Sequence, residues 1–256
     1  MNKLLKIGHN IFAIGMSALG ILCFVDKDFI IGRPPAWSPS FSINPAFAYI
    51  SGAIVILCGF AISLNKKAAA AAFTIGLMIL LLSFSRRIPQ FMNDWANAYK
   101  ALALAGGAFI VAASFLNPAQ KKTATFLTGF GLVTLSSFFI VCGYAHFKFS
   151  GFVNDLIPAF IPFHSFFTYF AAICLFAGGV GILLPFTRKW AAMLSGIMIA
   201  GWFLLLHIPR FLADPENVSD RLGVCESFTF VGIFFVLSAL SSPLKVAPAT
   251  DPVPNN

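Results

Sequence analysis

Eight runs of mainly apolar residues follow one another along the chain, at 7–25, 46–64, 68–86, 98–116, 124–146, 165–184, 190–208 and 224–242. About 20 such residues cross a hydrocarbon core about 30 Å thick. A segment in lipid must satisfy its backbone polar groups internally, so each run predicts a transmembrane helix. The connectors between runs are too short to hold a soluble domain. Composition agrees: 59% of residues are apolar and 10% charged, whereas soluble domains carry about 25% charged residues. The expected fold is an all-α polytopic bundle of eight helices, with membrane lipids as its surroundings. A soluble enzyme is excluded. No basic stretch is interleaved with aromatics, so nucleic acid is not an expected partner.

Charge on the connectors sets the expected orientation. One face carries Lys3, Lys6, Lys66, Lys67, Lys121, Lys122, Arg188, Lys189 and Lys245, with Asp251 as its only acid. The other carries Lys27, Arg33, Arg86, Arg87, Lys100, Lys148, Arg210 and Arg221, matched by Asp26, Asp28, Asp94, Asp155, Asp214, Glu216, Asp220 and Glu226. Uncompensated Lys and Arg resist translocation, which puts the first face and both termini in the cytoplasm. The first run follows Lys3 and Lys6 as a signal peptide would. However, "SALGILC" has no small-x-small cleavage site, so the run is expected to stay as a helix. The tail 243–256, "PLKVAPATDPVPNN", is rich in proline and polar residues and is expected to be disordered.

The chain matches itself. At an offset of 120, Tyr49, Gly59, Gly76, Ile88, Pro89, Phe91 and Asp94 fall on Tyr169, Gly179, Gly196, Ile208, Pro209, Phe211 and Asp214. Upstream the offset is 123, pairing Gly8 with Gly131, Gly20 with Gly143, Phe24 with Phe147, and Phe29 with Phe152. It also sets "PAWSP" (35–39) on "PAFIP" (158–162). Downstream the offset is 126, pairing Gly106 with Gly232 and Lys100 with Glu226. Two four-helix repeats are therefore expected, at 7–116 and 124–242. Four is an even number of crossings, so the halves run parallel through the bilayer, about an axis along its normal. Proline disfavours helical geometry in the residue before it, so "RIPQF" and "HIPRF" predict that the third and seventh helices stop near Ile88 and Ile208. Trp37 and Phe160 would then lie on stiff connectors at the same membrane face.

The candidate chemistry lies at that face. At matched positions the second half has His146, His207 and Glu226 where the first has Cys23, Arg87 and Lys100. Imidazoles titrate near neutral pH and a carboxylate can tune them, so His146, His207 and Glu226 are the candidate catalytic residues. Candidate ligand contacts are His164, Arg210, Arg87 and Lys100, with Arg210 suited to an anionic or quinone-like oxygen. Helix dipoles and snorkelling to headgroups offer structural explanations for His207, Glu226 and the arginines. Lys100, near a helix N-terminus, opposes the dipole and predicts a carboxylate partner, Glu226 across the axis or Asp94 nearby. No HxH, HExxH or CxxC spacing supports a metal site. Cys23, Cys142 and Cys225 fall toward the outer ends of helices, where an oxidising compartment permits a disulfide.

Taken together, "GILCFVDKDF" and "GYAHFKFSGF" closing the first helix of each half, the proline-aromatic connector and "HIPRF" after the seventh run resemble the DoxX-like family of small membrane proteins. The second half, 124–242, resembles it more closely than the first. The resemblance implies a bacterial inner-membrane bundle. Some relatives are subunits of thiosulfate:quinone oxidoreductases, which implies a redox-associated role, quinone as cofactor and a soluble or membrane redox partner. A carrier of small lipid-like molecules and an assembly factor without chemistry are the competing expectations.

Overall fold

The computed structural model describes residues 3–32, 45–84 and 95–241. Every regular element among them is helical: α1 (Lys3–Val25), α2 (Pro45–Ser63), α3 (Ala68–Ile79), α4 (Trp95–Ala113), α5 (Lys121–Lys148), α6 (Ser150–Leu156), α7 (His164–Leu183), α8 (Arg188–Trp202), α9 (Ile208–Ala213) and α10 (Val218–Leu240). Among the described residues seven helical stretches are long and apolar enough to cross a membrane, with α8, its following turn and α9 counting as one. An eighth, Ala68–Phe84, is shorter within its described part. The chain is an all-α, multi-pass integral membrane protein. The expected features at Trp37, Arg87, Ile88 and the tail lie outside the described residues.

Neighbouring helices close into a ring in the order α1, α2, α3, α4, α5, α7, α8, α10 and back to α1. α4 and α10 also meet each other, and both are buried along most of their length. Hydrocarbon gives helices no hydrophobic reason to associate, so close backbone approach through small residues supplies the attraction. α4 shows this in its sequence: every residue of "ALAGGAFIVAA", Ala103–Ala113, is buried. Where α1 meets α10, a Cβ on Gly232 would lie 2.8 Å from the Gly8 carbonyl oxygen. Where α4 meets α5, a Cβ on Gly106 would lie 2.9 Å from the Gly131 Cα.

The stop expected at Ile208 does not occur. α8 passes through a π-helical turn, Phe203–His207, and continues as α9 with Pro209 in its first turn. The Ile208 N–H donates to the Phe203 carbonyl, five residues back. A π turn widens the helix, giving the proline ring room against the preceding carbonyls, and Pro209 has no N–H to satisfy. His207 thus sits inside a continuous helix and not in a last turn. α3 also runs into a π turn, Leu80–Phe84, shortly before Pro89.

The segments after α1 and α5 diverge. After α1 the chain turns inward, burying Phe29, Ile30 and Ile31. The Ser83 hydroxyl donates to the Ile31 carbonyl, and Gly32 adopts φ +79°, a left-handed conformation that glycine takes without strain. After α5 the chain forms the short helix α6, with Phe152 64% exposed. No helix was expected there.

Candidate functional site

The outward turn of α6 leaves space beneath it. A cavity of about 690 Å³ lies between the end of α5, α6, the 157–163 connector, the start of α7 and the end of α8. Its wall is mostly apolar, with Phe167, Phe170, Met198 and Leu205 among its members. The polar side chains lining it are His146, Thr168, Trp202 and His207. A second hollow of about 560 Å³ adjoins it, sharing Leu156, Ile157, Pro158 and Phe160, and is lined by Asn154, Asp155, His164 and Arg210. Several wall residues face out from the bundle, including Phe163 at 77% exposure.

Hydrogen bonds fix the cavity's polar groups. The His146 Nδ1 lies 2.8 Å from the Cys142 carbonyl oxygen one turn back on α5. Its ring stacks on Trp202 at 6.3 Å between centroids. The Thr168 hydroxyl donates to the Asn154 Oδ1 at 2.7 Å, and the Asn154 amide donates to Ser165 at 3.1 Å. His207 packs toward α10, where a Cβ on Gly223 would come within 2.7 Å of its Nδ1. Glycine at 223 leaves space for that imidazole.

The other candidates are occupied with one another. Lys100 on α4 donates to Glu226 on α10 at 2.7 Å, and the Gly32 N–H donates to the second oxygen of Glu226 at 2.9 Å. Neither residue lines the cavity or the adjoining hollow. Glu226 is one of the two partners expected for Lys100; the other, Asp94, lies outside the described residues. A carboxylate 3% exposed is costly without such partners; with a cation and an amide it is satisfied. Arg210 is held by Asp220 through two nitrogens, each 2.9 Å from the same oxygen, and also donates to the Leu156 carbonyl at 3.4 Å. Arg221 meets Asp26 at 2.6 Å and donates to the carbonyls of Pro215 and Glu216. These contacts tie the loops at this end to α10.

The residues grouped by sequence therefore separate into three places. His146 and His207 share the cavity, His164 and Arg210 share the hollow, and Glu226 with Lys100 forms a buried pair between α4 and α10. Arg87 lies outside the described residues. Trp202, Thr168 and Asn154 were missed. A tryptophan in the middle of a transmembrane run was the available signal for the first; nothing in the sequence marked the other two. His9 was missed as well. It is buried at the opposite end of α1, stacked on Phe115 at 4.1 Å, with Nε2 2.7 Å from the Ser114 hydroxyl oxygen. That hydroxyl donates to the Val111 carbonyl, so the His9 Nε2 carries the proton that reaches it. No disulfide joins Cys23, Cys58, Cys142, Cys174 or Cys225. Among the described residues no three His, Cys, Asp or Glu side chains converge as a metal site would require.

Fold and cavity together define a helical membrane protein with a mostly apolar chamber roofed by a short helix. A family model described as a domain of unknown function (DUF8561) matches residues 135–213. That stretch runs from within α5 to the end of α9 and contains both the cavity's imidazoles and the adjoining hollow. No curated protein and no solved structure matches the chain.

Proposed function

We propose that this protein is a duplicated, eight-span inner-membrane bundle whose second half binds a lipid-soluble molecule bearing a polar oxygen, the class to which quinones belong. One observation carries the binding role: a cavity of about 690 Å³ lined by two imidazoles, an indole and a threonine among otherwise apolar side chains. Ligand sites are typically apolar, with a few placed polar groups that orient the occupant. Under the DoxX-like resemblance the molecule belongs to the quinone–hydroquinone couple and the role is redox-associated.

Support for the duplication comes from contacts that repeat under the sequence offsets. Gly8 lies on Gly232 as Gly131 lies on Gly106. Gly59 packs on Ala13 and Ser17, and Gly179 on Ser136 and Ile140. Gly76 meets Phe109, and Gly196 meets Phe235. Phe24 stacks on Tyr49 at 5.4 Å, and Phe147 packs on Tyr169 at 5.7 Å. Offsets of 123 for the first helix, 120 for the second and third and 126 for the fourth, added to a residue of the first half or subtracted from one of the second, convert each contact into its counterpart.

Ligand binding is testable with Trp202 as reporter. With Trp37, Trp95 and Trp190 replaced by phenylalanine, a short-chain quinone titrated into nanodiscs is expected to quench Trp202 saturably. Gly201 lines the cavity, and a Cβ placed on it would meet no atom within 4 Å. Gly201→Phe therefore fills the space and should abolish the saturable component. Quenching that rises linearly, and equally in the filled variant, would count against the cavity.

The orientation we propose places the cavity end outward. Lys66, Lys67, Lys121 and Lys122 are exposed at the opposite end, while the Lys100–Glu226, Arg210–Asp220 and Arg221–Asp26 pairs lie at this one. A membrane-impermeant amine reagent applied to intact spheroplasts should modify the exposed Lys148 and spare Lys66 and Lys121. The reverse pattern would invert the topology.

A further inference from the structure

We infer that the cavity selects molecules presenting an O–H donor, such as lipid-soluble alcohols, phenols and hydroquinones, over matched ketones, quinones or ethers. This rests on the cavity being a binding site and adds which hydrogen-bonding sense it accepts.

The polarity follows from which protons are already used. A carbonyl oxygen can only accept, so the 2.8 Å contact with Cys142 places the His146 proton on Nδ1. The Nε2 of the neutral ring is then a bare acceptor, with no hydrogen-bond partner among the described residues. Stacking on Trp202, with 19° between the ring planes, holds the imidazole at the cavity wall. The second group has the same sense. Thr168 gives its only hydroxyl proton to Asn154, whose amide is oriented by donating to Ser165. The Thr168 oxygen therefore retains only lone pairs, and Thr168 too is a residue of the cavity wall.

Two fixed acceptors, set beside the Trp202 indole and the His207 ring in a mostly apolar wall, discriminate between headgroups. A hydroxyl can donate to His146 or Thr168 and still accept from the Trp202 N–H. A carbonyl or ether can only accept, so it leaves the His146 nitrogen unpaired and brings lone pairs against lone pairs. Burying a polar atom without its partner is the larger part of such a penalty. One well-made hydrogen bond of this kind corresponds to about a tenfold difference in affinity.

The test compares 4-nonylphenol with 4-nonylanisole, which differ by a methyl cap on the oxygen. Each is measured by retention on protein-bearing nanodiscs relative to empty ones, which removes the contribution of bilayer partitioning. The phenol is expected to bind about tenfold more tightly, and His146→Phe or Thr168→Val should each shrink that ratio. Equal retention of the two compounds by the unmodified protein would overturn the selectivity while leaving the cavity as a binding site. A preference surviving undiminished in both variants would overturn it as well. Retention of neither compound above empty discs would remove the binding role and this inference with it.

Discussion

Replacing Glu226 with alanine is expected to lower stability by about 3–5 kcal/mol, the usual cost of breaking a buried ion pair by removing one partner. The loss has two parts, because Glu226 accepts from both the Lys100 ammonium and the Gly32 N–H. The rescue should therefore be asymmetric. The double variant Lys100→Met with Glu226→Gln removes both charges and keeps an acceptor for Gly32, so it should recover most of the loss. Exchanging the two charges restores their attraction but points an ammonium at the Gly32 N–H, and should recover less. Thermal unfolding followed by size-exclusion chromatography in detergent would order the variants. A Glu226→Ala protein that melts with the unmodified one would show that the pair contributes nothing.

Gly232→Val should be comparably damaging, at about 3 kcal/mol, the upper part of the usual range for overpacking. A Cβ at 232 would lie 2.8 Å from the Gly8 oxygen and 2.9 Å from the Phe12 Cα. These are backbone atoms of α1, and no side-chain rotation relieves the clash. The helices would have to separate along their length, giving up many small dispersion contacts. Gly129 provides the control, since nothing lies within 4 Å of a Cβ placed there. Gly129→Val should change stability by no more than about 0.5 kcal/mol. Equal melting temperatures for the two valine variants would refute the close approach of α1 and α10.

Much of the helical layout is legible in the sequence because hydrocarbon imposes length and polarity on each crossing helix. The pairing of Lys100 with Glu226 could also be anticipated, since a lysine near a helix N-terminus needs a carboxylate. The third partner could not. Gly32 reaches Glu226 only because the chain after α1 folds inward, which depends on the burial of Phe29 and Ile31. Phe29 and Phe152 align in sequence, yet one is fully buried and the other is 64% exposed. The offset that pairs them carries no information about that difference. Pro209 misled for a related reason: proline ends a helix when its ring has no room, and whether a π turn provides room is decided by packing around α8. Arg210 looked suited to an incoming anion because Asp220, on the following helix, showed no local sign that it would claim the guanidinium.

The ring order has a further consequence. α4 is seated on α5, and α10 closes back on α1. Neither the stretch α1 to α4 nor the stretch α5 to α10 can therefore bury its own seams in isolation. A chain carrying 121–241 alone would expose the α5 surface that α4 covers and the α10 surface that α1 covers. A separate chain carrying 3–113 would supply both covering surfaces, because α1 and α4 both belong to it.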